Sequence, residues 1–250
     1  MKATVTAVIP ARLGSSRFPG KALHPYLDKP LLFYVWNDLR KVKSIDRLVV
    51  ATDDLSISKA AKNFGAEVVK TSAKHRSGSD RAAEAARKVG GDIILNVQGD
   101  NFGLRAKDID NVITLMKKDR KITSATFAQK IISDADLFDP NKVKVIFSRA
   151  GYALWFSRFP LPYLQSAYSE VERNIQFNFW AHIGVYFFRK QTLSKFAATP
   201  RTSFEMAESL EQLRLLEFGE RMKVFKTTMT TVSIDQPGDV KKINSLYKNR

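Results

Sequence analysis

The chain contains no cysteine. That absence excludes a disulfide framework and any thiolate-ligated metal site, and it leaves the redox compartment open, with the cytoplasm as the default expectation. No apolar run reaches membrane-spanning length, and the opening MKATVTAVIPAR lacks the architecture of a signal peptide, so no membrane insertion is expected. Acidic residues are in short supply: 25 Asp and Glu stand against 41 Lys and Arg, a formal net charge of +16. Such an excess raises nucleic-acid binding, because clustered cations neutralise phosphates and release counterions. Here the cations are spread along segments such as DLRKVKS, KKDRK and KKINSLYKNR. There is no arginine-rich arm, zinc-ligand spacing or RNP-type aromatic motif, so no nucleic-acid partner is expected. A solvated basic surface accounts for the pattern, and its field would steer an anionic substrate.

What is present is a regular alternation. The β-branched runs TVTAVIP, RLVVAT, AEVVKT and DIILNVQGD are each followed by a segment with apolar residues at helical spacing: LLFYVWNDLRKV, LSISKAAKNFG, SDRAAEAARKVGG and KDIDNVITLMKKD. Gly65 sits where a left-handed cap would end a helix before the next strand. This βαβα rhythm predicts a mostly parallel sheet with helices on both faces. The second half changes character. VKVIFS, GYALWFSR and HIGVYFFR are aromatic-rich and suit longer, antiparallel strands. FPLPYLQSAYSEVERNIQFNF is punctuated by proline and reads as a protruding loop or partner-contacting arm, and SFEMAESLEQLRLLEFGE reads as one amphipathic helix ended at Gly219. No repeat or linker divides the chain, which predicts one domain over 1–250 with an aromatic-rich extension near 150–190.

The loop after the first strand, PARLGSSRFPGKA, looks like a phosphate-binding P-loop but fails its pattern. Five residues separate Gly14 from Gly20, and Ala22 stands where the magnesium-binding hydroxyl would follow Lys21. It also lacks the dinucleotide fingerprint. What remains is a turn at the carboxyl end of a strand, where open α/β sheets bind ligands, carrying Arg12, Arg17 and Lys21 as cations for a polyphosphate. Asp100 in LNVQGD and Asp235 in VSIDQPGD each follow a short strand. Either fits an ordinary turn or helix entry. Two carboxylates beside a polyphosphate suit oxygen-ligated Mg²⁺.

The motifs IPARLGSSRFPGKAL, ATDD, HRSGSDR, NVQGD, YALWFSR, HIGVY, LEQLR and SIDQPGD, in this order, resemble those of CMP-Kdo synthetases, the 3-deoxy-manno-octulosonate cytidylyltransferases. The resemblance runs from about Val5 to Val240. It implies a three-layer α/β nucleotide-sugar transferase fold, Rossmann-like, with a mostly parallel mixed sheet and a small dimerisation and sugar-binding extension. It also implies a Mg²⁺-dependent cytoplasmic homodimer that transfers CMP from CTP to the anomeric hydroxyl of the acidic sugar, releasing pyrophosphate for lipopolysaccharide biosynthesis. Carried over by motif, Arg12, Ser15, Ser16 and Lys21 would hold the triphosphate. Arg76, Ser77, Gly78 and Gln98 would form the cytidine pocket, and Asp100 and Asp235 would hold the metal, with Lys21 completing the catalytic set. Arg158, His182, Tyr186, Glu211 and Gln212 would line the acidic-sugar pocket. A lone strand histidine such as His182 is otherwise a structural residue, and Glu208 and Glu211, three apart on one predicted helix, would otherwise be a solvated acidic face.

Two stretches, three residues in all, depart from the family pattern. Asn101-Phe102 replaces the Glu-Pro expected after NVQGD, and Ala181 replaces a basic residue before His182. They leave three alternatives in play: Kdo as acceptor, an amino-substituted octulosonate or other acidic sugar, or a weakened paralogue with a ligand-binding or regulatory role.

Overall fold

The computed structural model describes residues 3–14, 18–75, 77–166, 169–234 and 236–248. The first half follows the predicted alternation. β1 (Val5–Pro10) leads through the short hairpin β2 (Pro25–Tyr26) and β3 (Lys29–Pro30) into α1 (Leu31–Leu39). Then come β4 (Arg47–Thr52), α2 (Leu55–Asn63), β5 (Glu67–Lys70), α3 (Gly78–Val89) and β6 (Ile93–Val97). β7 (Asn101–Phe102) precedes α4 (Ala106–Lys118). Helix starts coincide with side-chain caps: Asp54 accepts from the Ile57 N–H at α2, and Ser77 from the Asp80 N–H at α3. Gly65 ends α2 as expected, with φ 85° and the Ala66 N–H reaching back to the Ala61 carbonyl.

The second half supplies β8 (Ser124–Lys130), α5 (Asp134–Phe138), β9 (Lys144–Phe147), β10 (Ala153–Ser157), α6 (Glu170–Gln176) and β11 (Trp180–Arg189). After α7 (Lys190–Ala198) come α8 (Ser203–Glu208), α9 (Leu213–Glu217), β12 (Met222–Thr227) and β13 (Val232–Ser233). The proline-punctuated arm therefore contains a helix, α6, opened by a capping box in which Ser169 and Glu172 each accept from the other's backbone N–H.

One sheet organises these strands in the order β10-β9-β11-β6-β1-β4-β5, with β8 against β11 and β12 against β8. β6, β1, β4 and β5 run parallel, while β11 is antiparallel to both β6 and β8. All six residues of β1 are buried, because helices cover both faces. Val5, Ala7 and Ile9 pack with α1, α2 and α4, and Val8 packs with α3, α7 and α9. The chain leaves β1 toward β4 and β5, then returns to place β6 on the other side of β1. That reversal opens a crevice at the carboxyl ends of β1 and β6, where the turns after Pro10 and Val97 meet. No helix among the described residues is long and apolar enough to cross a membrane.

The predicted helix over SFEMAESLEQLRLLEFGE is two helices. Ser209 adopts the left-handed conformation, φ 52°, and the Leu210 N–H returns to the Glu205 carbonyl, closing α8. Glu211 and Gln212 thus lie in the turn before α9 rather than on a helix face with Glu208. The helix restarts and ends at Gly219 as expected, φ 72°.

Candidate active site

The loop after β1 re-enters the fold at Gly20, whose positive φ of 71° suits glycine and whose N–H bonds the Leu13 carbonyl at 3.0 Å. The turn delivers Lys21 to the crevice. Its Nζ lies 2.5 Å from Asp100 Oδ2 and donates to the Ile234 carbonyl at 2.7 Å. β13 pairs antiparallel with β7, setting Ser233 opposite Asn101, so the segment approaching position 235 runs beside the segment that carries Asp100. One ammonium therefore joins the first loop, the QGD turn and the chain end of β13. Asp235, Ser15, Ser16, Arg17 and Arg76, also predicted here, lie outside the described residues.

Beside this clasp is a cavity of about 90 Å³ lined by Arg12, His75, Ser77, Gly78, Arg81 and Gln98. That is smaller than the ~300–1,000 Å³ of whole small-molecule pockets, so it is sized for part of a ligand. The Gln98 carboxamide lies so close over Gly78 that a Cβ there would meet its Oε1 at 2.5 Å. Glycine is what lets the amide reach the α3 entrance. Arg81 is buried and pairs with Asp53 at 2.7 Å while donating to Thr71 Oγ1, which ties ATDD to HRSGSDR. His75 pairs with Glu84. Burial opposes the Glu84 charge, but hydrogen bonds from Lys88, the Ser72 N–H and His75 outweigh it and hold its pKa at about 2.

A second group forms where β11 faces the α8–α9 turn. The Tyr186 hydroxyl donates to Gln212 Oε1 at 3.1 Å, and burial together with the Glu211 charge pushes its pKa well up. The His182 ring stands 5.4 Å from the Tyr186 ring and 4.9 Å from Phe156, so His182 and Tyr186 share a face despite a register shift between Ile183 and Tyr186. Desolvation lowers the His182 pKa to about 3, so the ring is neutral at physiological pH. Its Nε2 meets Thr126 Oγ1 at 2.9 Å, and among the described residues that hydroxyl's other bonding neighbours are acceptors, the Ile183 and Val185 carbonyls. The threonine proton is thereby committed, so Nε2–H donates and Nδ1 is the ring's acceptor. Buried Gln212 Nε2 has no hydrogen-bond partner among the described residues. Leaving such a donor unmet costs roughly 1–3 kcal/mol, which a ligand oxygen there would recover.

Arg158 is placed differently from its partners. Its guanidinium donates to the backbone carbonyls of Glu208 at 2.8 Å, Pro140 at 2.9 Å and Ser209 at 3.4 Å. It braces the α8 end from the β10 side, with part of its donor fork committed to structure.

The carboxylates and cations were visible in the sequence, as were Ser77, Gln98, Tyr186 and Gln212; the neutral groups Asn96 and Ser79 were not. Asn96 lies on β6 two residues before Gln98, which follows the strand's end, and continued alternation would have put both on one face. Asn96 Nδ2 donates to Ser79 Oγ at 2.8 Å, and Ser79 Oγ donates to Glu211 Oε1 at 2.7 Å. Both departures from the family pattern also find places. Asn101 is buried and donates to the Gly184 carbonyl at 2.9 Å, joining the QGD turn to β11. Ala181 packs toward the apolar cluster of Ile131, Leu137 and Phe179, on the strand side opposite His182. The cation missing at 181 is therefore not taken from the face that carries His182 and Tyr186.

A family model described as cytidylyltransferase matches residues 6–223. The chain belongs to the cytidylyltransferase family. Relatives named 3-deoxy-manno-octulosonate cytidylyltransferase include that of Geobacter sulfurreducens, 38% identical over 96% of this chain and 97% of the relative. That of Porphyromonas gingivalis is 42% identical over 97% of this chain and 96% of its own. A solved CMP:2-keto-3-deoxy-manno-octonic acid synthetase complexed with CTP superposes with a TM-score of 0.90 at 34% identity, covering 99% of both chains. A putative glucose-1-phosphate thymidylyltransferase from Bacillus anthracis, 13% identical with a TM-score of 0.65, shares the fold alone. The mostly parallel mixed sheet with helices on both faces is the fold of this cytidylyltransferase family, as the sequence led one to expect.

Proposed function

We propose that this cytidylyltransferase transfers CMP from CTP to the anomeric hydroxyl of 3-deoxy-manno-octulosonate, with release of pyrophosphate. The observation that carries the reading is the meeting of two groups at one helix entrance. The Gly78–Gln98 cavity beside the Lys21–Asp100 clasp takes the nucleotide, and the Tyr186–Gln212–Glu211 group takes the sugar. Lys21 and Arg12, at the carboxyl ends of the strands, would offset the triphosphate's charge as the sugar hydroxyl attacks the α-phosphorus. Positioning and charge neutralisation supply most of the acceleration in such a transfer. His182 Nδ1 and Gln212 Nε2 offer one acceptor and one donor to sugar hydroxyls, and the Arg158 N–H groups not spent on backbone carbonyls suit a carboxylate.

Asp100 is a hard oxygen donor of the kind Mg²⁺ takes, and Lys21 occupies only its Oδ2; with Asp235 it would hold Mg²⁺. Bound there, the ion would stabilise the leaving phosphate oxygens and acidify the attacking hydroxyl. The reading extends to a cytoplasmic homodimer serving lipopolysaccharide assembly. Exposed Leu154, Phe159, Phe204 and Met206, on and beside β10 and α8, support a face covered by a second copy.

The test is pyrophosphate release across CTP and UTP with a panel of acidic sugars. CTP should be preferred by at least about tenfold, or roughly 1.4 kcal/mol, because a pocket that pairs with the cytosine amino group leaves polar groups unmet by uracil. Turnover should require the sugar carboxylate. CTP binding without turnover on any acidic sugar would instead favour a ligand-binding paralogue.

A further inference from the structure

The entrance of α3 belongs to both halves of the proposed site. Ser77 and Gly78 line the nucleotide cavity, while the next residue, Ser79, faces away from it and is buried. Glu211 arrives from the α8–α9 turn and sets its carboxylate on this entrance. It accepts from Ser79 Oγ at 2.7 Å, from the Ser77 hydroxyl and from the Ser79 N–H. Ser77 can donate its proton to Glu211 because its oxygen is already the acceptor for the Asp80 N–H. Ser79 is fixed in turn by Asn96 Nδ2, two residues before the Gln98 amide that covers Gly78. The Asn96–Ser79–Glu211 chain thus runs from the strand beneath the nucleotide to the carboxylate beside Tyr186 and Gln212.

We infer that Ser79, held by Asn96, is a positioning residue that fixes the Glu211 carboxylate for the sugar acceptor and ties the acceptor pocket to the nucleotide-binding turn. This rests on the assignment of Glu211 to the acceptor. Two features give it direction. A serine hydroxyl with its acceptor lone pairs engaged by Asn96 has its proton aimed at Glu211, so the carboxylate has a set orientation. A carboxylate at the N-terminus of a 12-residue helix is also held by the helix dipole.

Three further groups face Glu211. Asp80 of α3 raises its pKa, while Tyr186 of β11 and Arg214 of α9 lie within electrostatic reach. Burial is the largest influence and raises the pKa; the Ser79 and Ser77 hydrogen bonds pull it down, and the net result is upward. Removing the Ser79 hydroxyl therefore raises it further. If the ionised carboxylate receives the sugar, the acid limb of the acceptor profile moves to higher pH.

The experiment compares Ser79→Ala, Ser79→Thr and Glu211→Gln, singly and with Ser79→Ala combined with Glu211→Gln, using CTP and 3-deoxy-manno-octulosonate as the varied substrates. Ser79→Ala should lower kcat/KM for the sugar by about tenfold or more, the usual worth of a hydrogen bond to a charged group. KM for CTP should stay within about twofold, the acid limb should shift upward, and Ser79→Thr should restore most of the loss. In the Glu211→Gln background, Ser79→Ala should cost little more. Should Ser79→Ala fail to fold, Asn96→Ser supplies the second arm, with a smaller loss in the same direction. Equal losses for both substrates, or an undiminished Ser79→Ala penalty in the Glu211→Gln background, would overturn the inference. An unchanged sugar kcat/KM in Glu211→Gln would instead remove the acceptor assignment beneath it, a result distinct from both.

Discussion

A single lysine holds three distant stretches of chain together. Lys21 bonds Asp100 and the Ile234 carbonyl, so its loss would leave the Asp100 carboxylate without its cation and the β13 end without its donor. Lys21→Ala should lower kcat/KM for CTP by about a hundredfold, roughly 2.7 kcal/mol of transition-state stabilisation. Lys21→Arg should recover only part, because a planar guanidinium cannot enter the space of a compact ammonium 2.5 Å from a carboxylate. Steady-state kinetics at fixed sugar and fixed free Mg²⁺ measure both, and an unchanged Lys21→Ala would reduce the loop to a basic turn. At this scale the sequence was most legible where a residue carries charge in a turn after a strand, as Lys21 and Asp100 do. It was least legible for Asn96 and Ser79. A buried amide or hydroxyl has no pattern of its own, and its partner lies 17 or 132 positions away.

At the scale of elements, the break between α8 and α9 decides which way Glu211 and Gln212 face. A continuous helix would have carried Glu211 around with Glu208; the left-handed Ser209 instead lets Gln212 meet Tyr186 of β11 and Glu211 meet Ser79 of α3. The periodicity of SFEMAESLEQLRLLEFGE did not reveal this, because the apolar residues on either side of the break still sit at helical spacing. The cue is local and weak: serine is only one of several residues that tolerate a positive φ poorly. Ser209→Gly should stabilise the fold by up to about 1 kcal/mol and leave turnover intact, since glycine adopts that φ without strain. Ser209→Val should destabilise by about 1–2 kcal/mol and raise KM for the sugar more than for CTP. Urea denaturation read alongside the two KM values checks both. A Ser209→Val enzyme with unaltered sugar KM would show that the turn does not set the acceptor pocket.

For the molecule as a whole, the strands were legible but their order was not. Alternation marks β1, β4, β5 and β6 as buried strands, yet only the folded sheet reveals that β6 returns to the far side of β1 and opens the crevice between their ends. Local pattern fixes which face a strand presents, not which neighbour it meets. The charge of +16 is likewise a property of the whole, scattered in sequence but summed in the field. A triphosphate approaching the crevice carries the opposite sign, so the field should raise its encounter rate. Screening shortens the field's reach from about 30 Å at 0.01 M salt to about 8 Å at 0.15 M. Between those limits kcat/KM for CTP should therefore fall several-fold, with kcat at saturating CTP little changed. Lys118→Glu with Lys121→Glu, exposed residues at and after the end of α4, should lower the low-salt value and flatten the slope without touching the site. Chloride titration at constant free Mg²⁺, repeated with potassium acetate to separate ionic strength from anion competition, provides the measurement. A kcat/KM indifferent to salt would mean that the basic surface acts in solvation alone and that CTP is captured only by the groups lining the crevice.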